Sequence, residues 1–434
     1  MPFRVRRWGL SVARSYMTFA LFFVSLLYFQ PAQATIGISS QLLLGNPSNA
    51  SVDTNNHAHY LIQRDIEALD YNEGRRQPNW ASWNYITSDT GSSGRSSTFF
   101  VDTSLPLGFY QVLTTDYSGS GYDRGHMCPS GDRTANTTIN DETFLMSNMI
   151  PQAPDNNQGI WANLETYSRA IASSNEVLVI CGPEGFGSAV TASSGHIPIA
   201  SNVWKIIIAV PLGGGSTLSR ITNSTRVIAV NIPNIQGIRT DPWQNYLTSV
   251  NQLQTNTGFN FFTTLNTNLA AVLRAKVDGS PTSGITNLNP TSGTVNSSVV
   301  LRGTNLTGVT AVAFNGANAT FTVNSANQIT AIVPSNAVTG TFSVITAGGL
   351  ATSGTFTVTA PVIATPPTLS IAFSANTVIL SWPTNAASFN LQQNPDLSLT
   401  NWSAYVGVVT MNGTNKVVTL TVPTGKMFFR LVSP

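Results

Sequence analysis

Residues 121–133 read GYDRGHMCPSGDR. Two arginines, two aspartates and one histidine fall within thirteen positions, in a chain of which 9% is charged. The density of glycine and proline predicts a tight turn or loop rather than a helix interior. A histidine held there can serve as a general base near neutral pH. A solvated loop without chemistry fits the same residues, so the decision rests on what surrounds them.

Downstream, TFLMSNMIPQ (143–152) predicts a buried strand ending at Pro151. In the following DNNQGIWANLETYSRAIASS, the residues Ile160, Leu164, Tyr167 and Ile171 recur at helical spacing and predict an amphipathic helix. Asn157, Trp161, Glu165 and Arg169 run along its flank. Eight residues of helix rise by roughly 12 Å, so Asn157 and Glu165 cannot both touch one small ion directly. One of them is expected to act through water. Glu165 and Arg169 stand four apart and are placed to pair.

Upstream, residues 35–55 read as a polar lead-in. Tyr60–Tyr71 predicts a strand continuing into a turn, and Trp80, Trp83 and Tyr85 alternate with smaller residues as a core-packed strand does. Arg95 falls in a loop before an apolar pair of phenylalanines. Beyond the helix, 177–182, 203–211 and 226–233 are apolar strand-like runs, and Trp243–Leu253 and Leu265–Arg274 suggest helices. The mixture predicts an α+β domain over 35–278. From 279 the helical periodicity disappears. Short alternating runs between Gly, Asn and Pro turns predict a β-sandwich over 282–360, a Pro-rich linker at 361–367 and a last β-rich domain over 368–434.

The first 34 residues read as an export signal. Arg4, Arg6, Arg7 and Arg14 precede an apolar run from Met17 to Phe29, and Ala32-Gln33-Ala34 makes a cleavage site. The expected location is secreted, extracellular or at the cell surface, without stable membrane insertion. The formal charge of the whole chain is +2, and loss of the four leader arginines leaves −2. Residues 35–279 carry −5 and residues 280–434 carry +3. An overall basic footprint for tight nucleic-acid binding is therefore absent, and a phosphate site would need a local arginine cluster and a metal ion. Cys128 and Cys181 leave two readings open, one disulfide or two separately buried thiols.

DRGHMCPSGDRT, FLMSNMIPQAPDNNQG and IWANLE, in that order, resemble the DNA/RNA non-specific endonuclease family, the ββα-metal group that includes mitochondrial endonuclease G. The likeness extends over about residues 40–276. It implies a ββα-metal nuclease domain; of the two small all-β domains that follow, the first, 282–359, separately resembles an IPT/TIG domain. It implies that His126 is the general base, that Asn157 is the direct protein ligand of Mg²⁺, with Mn²⁺ a substitute, and that Glu165 holds metal-bound water. It further implies that Arg95, Arg124 and Arg169 meet phosphate and transition-state charge, with Asn148 and Asp123 in support. The implied substrates are DNA and RNA, cut without sequence preference to leave 5′-phosphate and 3′-hydroxyl ends. Two other functions fit the chain: a surface or matrix binding protein whose nuclease-like domain is silent, and a phosphodiesterase for another phosphodiester. The β domains suggest cell-surface or matrix contact.

Overall fold

The strands from Val177 onward are apolar on both faces, so they can only sit in the middle of a layered domain. The computed structural model describes residues 40–192, 197–359, 367–384, 389–422 and 424–432. The leader at 1–34 and linker residues 361–366 lie outside them. In chain order come strands β1 (Tyr60–Gln63), β2 (Ala68–Asn72), β3 (Gln77–Tyr85) and β4 (Asp123–His126). Helix α1 (Thr137–Glu142) and strand β5 (Met149–Gln152) follow. A π-helical turn, Asn156–Trp161, runs into α2 (Ala162–Ile171). Then come β6 (Asn175–Ala192), β7 (Ile197–Pro211), α3 (Thr217–Arg220), β8 (Arg226–Pro233), β9 (Leu247–Thr248), α4 (Val250–Thr257) and α5 (Thr267–Ala275).

Seven of these strands form one sheet in the order β1-β2-β3-β6-β7-β8-β9, and β4 and β5 form a separate antiparallel pair. Alternation along the strands sends side chains to two cores. Trp83, Val177, Val179, Cys181, Val203 and Ile207 face one side, where Met127, Ile150, Ile160, Trp161 and Leu164 cover them. Trp80, Leu178, Ile180, Trp204, Ile206 and Ile208 face the other, under Leu253 of α4 and Leu273 of α5. The α+β nuclease-like architecture is thus three layers deep, with β4, β5 and α2 together on one face.

Several local expectations need correction. Tyr60–Tyr71 is a hairpin, not one strand: Gln63 pairs with Ala68, and Arg64 N–H donates to the Glu67 carbonyl across the turn. The lead-in is not simply polar, because Leu42, Leu44 and Ala50 pack into the second core. Only the last part of 143–152 is a strand, since Met146–Asn148 is a 3₁₀ turn. At 243–253 a 3₁₀ turn (Trp243–Tyr246) and the short β9 precede the helix, which starts at Val250 with Ser249 capping it through the Gln252 N–H. Cys128 and Cys181 are both buried free thiols, which settles that pair as unbridged.

The sandwich expected beyond residue 279 is present. One sheet joins Gly284–Asn289, Ser298–Thr304, Gln328–Ile332 and Phe321–Ser325. The other joins Ser292–Gly293, Gly349–Val358, Gly340–Thr346, Ala311–Phe314 and Ala317–Asn318. Phe314, Phe342 and Phe356 meet between them, fully buried. This sandwich belongs to one compact unit with the preceding domain, ending at Val358. α5 packs on Gly340–Thr346, and Val277 N–H donates to the Ala347 carbonyl at 3.0 Å. Residues from Thr359 make a second unit, with a four-stranded and a three-stranded sheet around Val378, Leu380, Trp382, Leu391 and Val418. Among the described residues no helix is long and apolar enough to cross a membrane.

Candidate active site

β4 is the DRGH segment itself. Its register with β5 sets Asp123 opposite Gln152 and His126 opposite Met149. Gly125 is required by close approach, because a Cβ there would lie 2.0 Å from Gln152 Oε1. Beyond β4 the chain is clamped by Asn148, which is fully buried. Its carbonyl oxygen accepts from Cys128 N–H at 3.0 Å, and its amide donates to the carbonyls of Cys128 and Thr143, each at 2.9 Å. Asn148 thus holds the backbone that presents His126.

A cavity of about 330 Å³ opens beside this strand, lined by Arg95, Phe99, Tyr122, Asp123, Arg124 and Asn157 among others. Four predicted residues from three far-apart stretches, Arg95, Asp123 with Arg124, and Asn157, therefore meet there. Arg124 lies over the Phe99 ring at 4.2 Å and Arg95 over the Phe144 ring at 4.9 Å. His126 sits against the same two rings, edge-on to Phe144 at 4.7 Å and tilted against Phe99 at 5.7 Å. It does not line the cavity: it is 7% exposed, and its Nε2 is buried without a protein partner. Burial first, then the Arg95 and Arg124 charges, push its pKa down to about 3, so the ring is neutral.

Asn157 belongs to the π-helical turn, which displaces it from the α-helical flank assumed from sequence. Gly159 permits this turn to lie against Arg239, whose carbonyl would be 2.5 Å from a Cβ at that position. The Asp123 carboxylate accepts from Asn157 Nδ2 at 2.9 Å and from Gln158 Nε2 at 2.8 Å. A carboxylate only accepts, so the Asn157 carbonyl oxygen is turned away from it and left as an acceptor. Among the described residues no cluster of three or more His, Cys, Asp or Glu could cage a metal. The donor set does fit a magnesium ion that keeps most of its water: one free amide oxygen, from Asn157, whose amide nitrogen is fixed by the Asp123 carboxylate.

Glu165 and Arg169 do not line the cavity, and they are not each other's partners as their spacing suggested. Arg169 donates to Asp132 Oδ1 at 2.9 Å, while Asp132 Oδ2 accepts from Trp83 Nε1 at 3.0 Å. Glu165 faces Lys205 Nζ at 3.7 Å. Tertiary partners outcompete an i,i+4 contact, which is weak on its own. Burial pushes the Glu165 pKa up, with Lys205, Arg169 and Arg95 opposing. Arg95 thus acts electrostatically on both His126 and Glu165.

Sequence reasoning passed over Phe99 and Phe144, which hold the arginines and the imidazole, and Asp132 and Lys205, which hold Arg169 and Glu165. Lys205 left a signal: it is a charge in the middle of the apolar run VWKIIIAVP, where lysine is almost never buried unless paired.

Residues 45–268 match the DNA/RNA non-specific endonuclease family, and residues 281–360 match the IPT/TIG domain. A nuclease from Nostoc sp. is 42% identical over 242 residues, covering 56% of this chain and 87% of that protein. Nuclease C1 from Cunninghamella echinulata is 30% identical, covering 48% and 84%. Mitochondrial endonuclease G from Bos taurus is 30% identical over 135 residues, covering 29% and 45%. The site therefore lies wholly within the matched region, and the chain belongs to the DNA/RNA non-specific endonuclease family, metal-dependent nucleases, with an IPT/TIG domain following the nuclease domain.

Proposed function

We propose that the protein is a secreted, Mg²⁺-dependent endonuclease that hydrolyses DNA and RNA without sequence preference, leaving 5′-phosphate and 3′-hydroxyl ends. The observation that carries this reading is the convergence of Arg95, Arg124 and the Asn157 amide on one cavity whose Phe99 wall backs onto His126, with Nε2 unpartnered. A scissile phosphate between Arg95 and Arg124 meets two guanidiniums held on phenylalanine faces. Contacts to phosphate alone carry no base information.

The phosphate also changes His126. The two arginines disfavour an imidazolium, and an anion between them offsets that penalty. Burial is the larger cause of the depression, so the anion relieves only the arginine share of it. Asn157 is the protein ligand for the metal, and Glu165 acts on it through water. Bound there, a divalent cation neutralises a phosphoryl oxygen and stabilises the leaving oxygen. Arg169, held by Asp132, stabilises the developing charge. The export-type leader supports secretion, and the β domains support contact with a cell surface or matrix.

The enclosure of His126 favours a second reading, a binding protein with a silent nuclease-like domain. Incubating the full chain with plasmid, single-stranded DNA and RNA, with Mg²⁺ or with EDTA, decides between them. Cleavage of all three polymers, abolished by EDTA, is expected. No cleavage of any polymer in Mg²⁺ leaves the silent domain or a phosphodiesterase for another phosphodiester.

A further inference from the structure

Lys205 is 1% exposed, on β7, and its strand partners are Cys181 and Val230. Its ammonium lies 4.2 Å from the Trp161 ring centre, 5.6 Å from that of Trp83 and 3.7 Å from Glu165 Oε1. The last distance is too long for a hydrogen bond and within ion-pair range. Taking an ammonium out of water costs stability that an apolar residue of similar length would not. The fold itself gives no reason for the charge, since Val203 and Ile207 on the same face pack without one.

The nearby charges divide into two pairs. Asp132 engages Arg169, and Lys205 is the cation within ion-pair distance of Glu165, with Arg169 and Arg95 acting on it from further away. Glu165 projects from α2 toward the sheet, and Lys205 rises from the sheet to meet it between two indole faces. A cation fixed between aromatic walls has little freedom to follow a carboxylate; the carboxylate must settle where the cation is.

We propose that Lys205 is a positioning residue for Glu165, holding its carboxylate on the sheet side of α2, from where it takes water bound to a divalent cation at Asn157. This rests on the roles of Glu165 and Asn157 given under Proposed function.

The test uses the full chain with Lys205→Met, Glu165→Gln and the double variant, and Mn²⁺ as probe, its free ion counted by electron paramagnetic resonance. Lys205→Met is expected to weaken Mn²⁺ binding by about 10- to 100-fold, as loss of a residue behind a metal ligand does. It should lower kcat on a short DNA duplex and leave KM, set by the cavity arginines, nearly unchanged. The double variant should be no worse than Glu165→Gln, because two residues acting as one unit are not additive. Unchanged Mn²⁺ affinity and kcat in Lys205→Met, with Glu165→Gln impaired, overturns this proposal alone. Wild-type Mn²⁺ affinity in Glu165→Gln overturns the role of Glu165 and this one with it. If Lys205→Met does not fold, the double variant, which leaves no unpaired buried charge, is compared with Glu165→Gln. Equal Mn²⁺ affinities support the proposal, and a further tenfold loss in the double variant overturns it.

Discussion

The two faces of the seven-stranded sheet are built from the same strands and do different work. Leu178, Ile180, Trp204, Ile206 and Ile208 alternate with Val179, Cys181, Lys205 and Ile207 along β6 and β7. The first set meets the apolar sides of α4 and α5. The second set lies under α2 and the β4–β5 pair, where Lys205, Glu165, Asp132 and Arg169 form two ion pairs at the edge of the core. Buried ion pairs contribute little net stability. Both faces bury a large set of apolar side chains, and the charges on one of them hold geometry.

Substitutions on each face test that division. His126→Ala is expected to lower turnover by about 10² or more with the fold retained, while the thermal midpoint falls, because the buried ring also packs against Phe99 and Phe144. Circular dichroism melts run beside plasmid cleavage check this, and near-wild-type turnover would contradict it. On the apolar face, Leu253→Ala should cost about 2–5 kcal/mol in urea unfolding, the range for large-to-small changes in a core. The activity of the molecules that remain folded should be unchanged. Loss of activity without loss of stability would mean that the faces are not separable.

Asp123→Ala sits between these extremes. It frees the Asn157 amide to rotate, and the Mg²⁺ needed for half-maximal cleavage should rise by about tenfold or more. Acid stability gives a smaller effect. Folded His126 resists protonation down to about pH 3, whereas the unfolded imidazole takes a proton near 6.5. Between those values the unfolded state binds more protons, so this group removes stability as pH falls. Denaturant titrations from pH 7 to pH 4 should fall more steeply for the wild type than for His126→Ala; parallel slopes would show that the folded ring is accessible to protons.

The smallest effect on chemistry is expected from shortening the chain at Asp278. The site residues all lie upstream and cleavage should persist. The thermal midpoint should drop, because shortening removes the strand Gly340–Thr346 on which α5 packs and the Ala347 carbonyl that Val277 N–H meets. An inactive but folded shortened chain would show that the sandwich contributes to the site.

Sequence by itself determined the α+β domain, the β-sandwich behind it and the family. Those features rest on periodicity and on motifs a few residues long. The stripe Ile160, Leu164, Tyr167, Ile171 does face the core, and the alternating runs after 279 do pair into sheets. Tertiary structure alone decided which charge meets which. Glu165 and Arg169 are neighbours in sequence, yet each is taken by a residue from another segment, 40 positions away for Lys205 and 37 for Asp132. Nor could spacing show that Phe99 and Phe144 flank the imidazole or that Asn157 begins in a π-helical turn. Local propensity is settled over one or two turns of chain, whereas a buried charge is settled by whatever the fold brings within about 4 Å, where low dielectric makes the nearest opposite charge dominate.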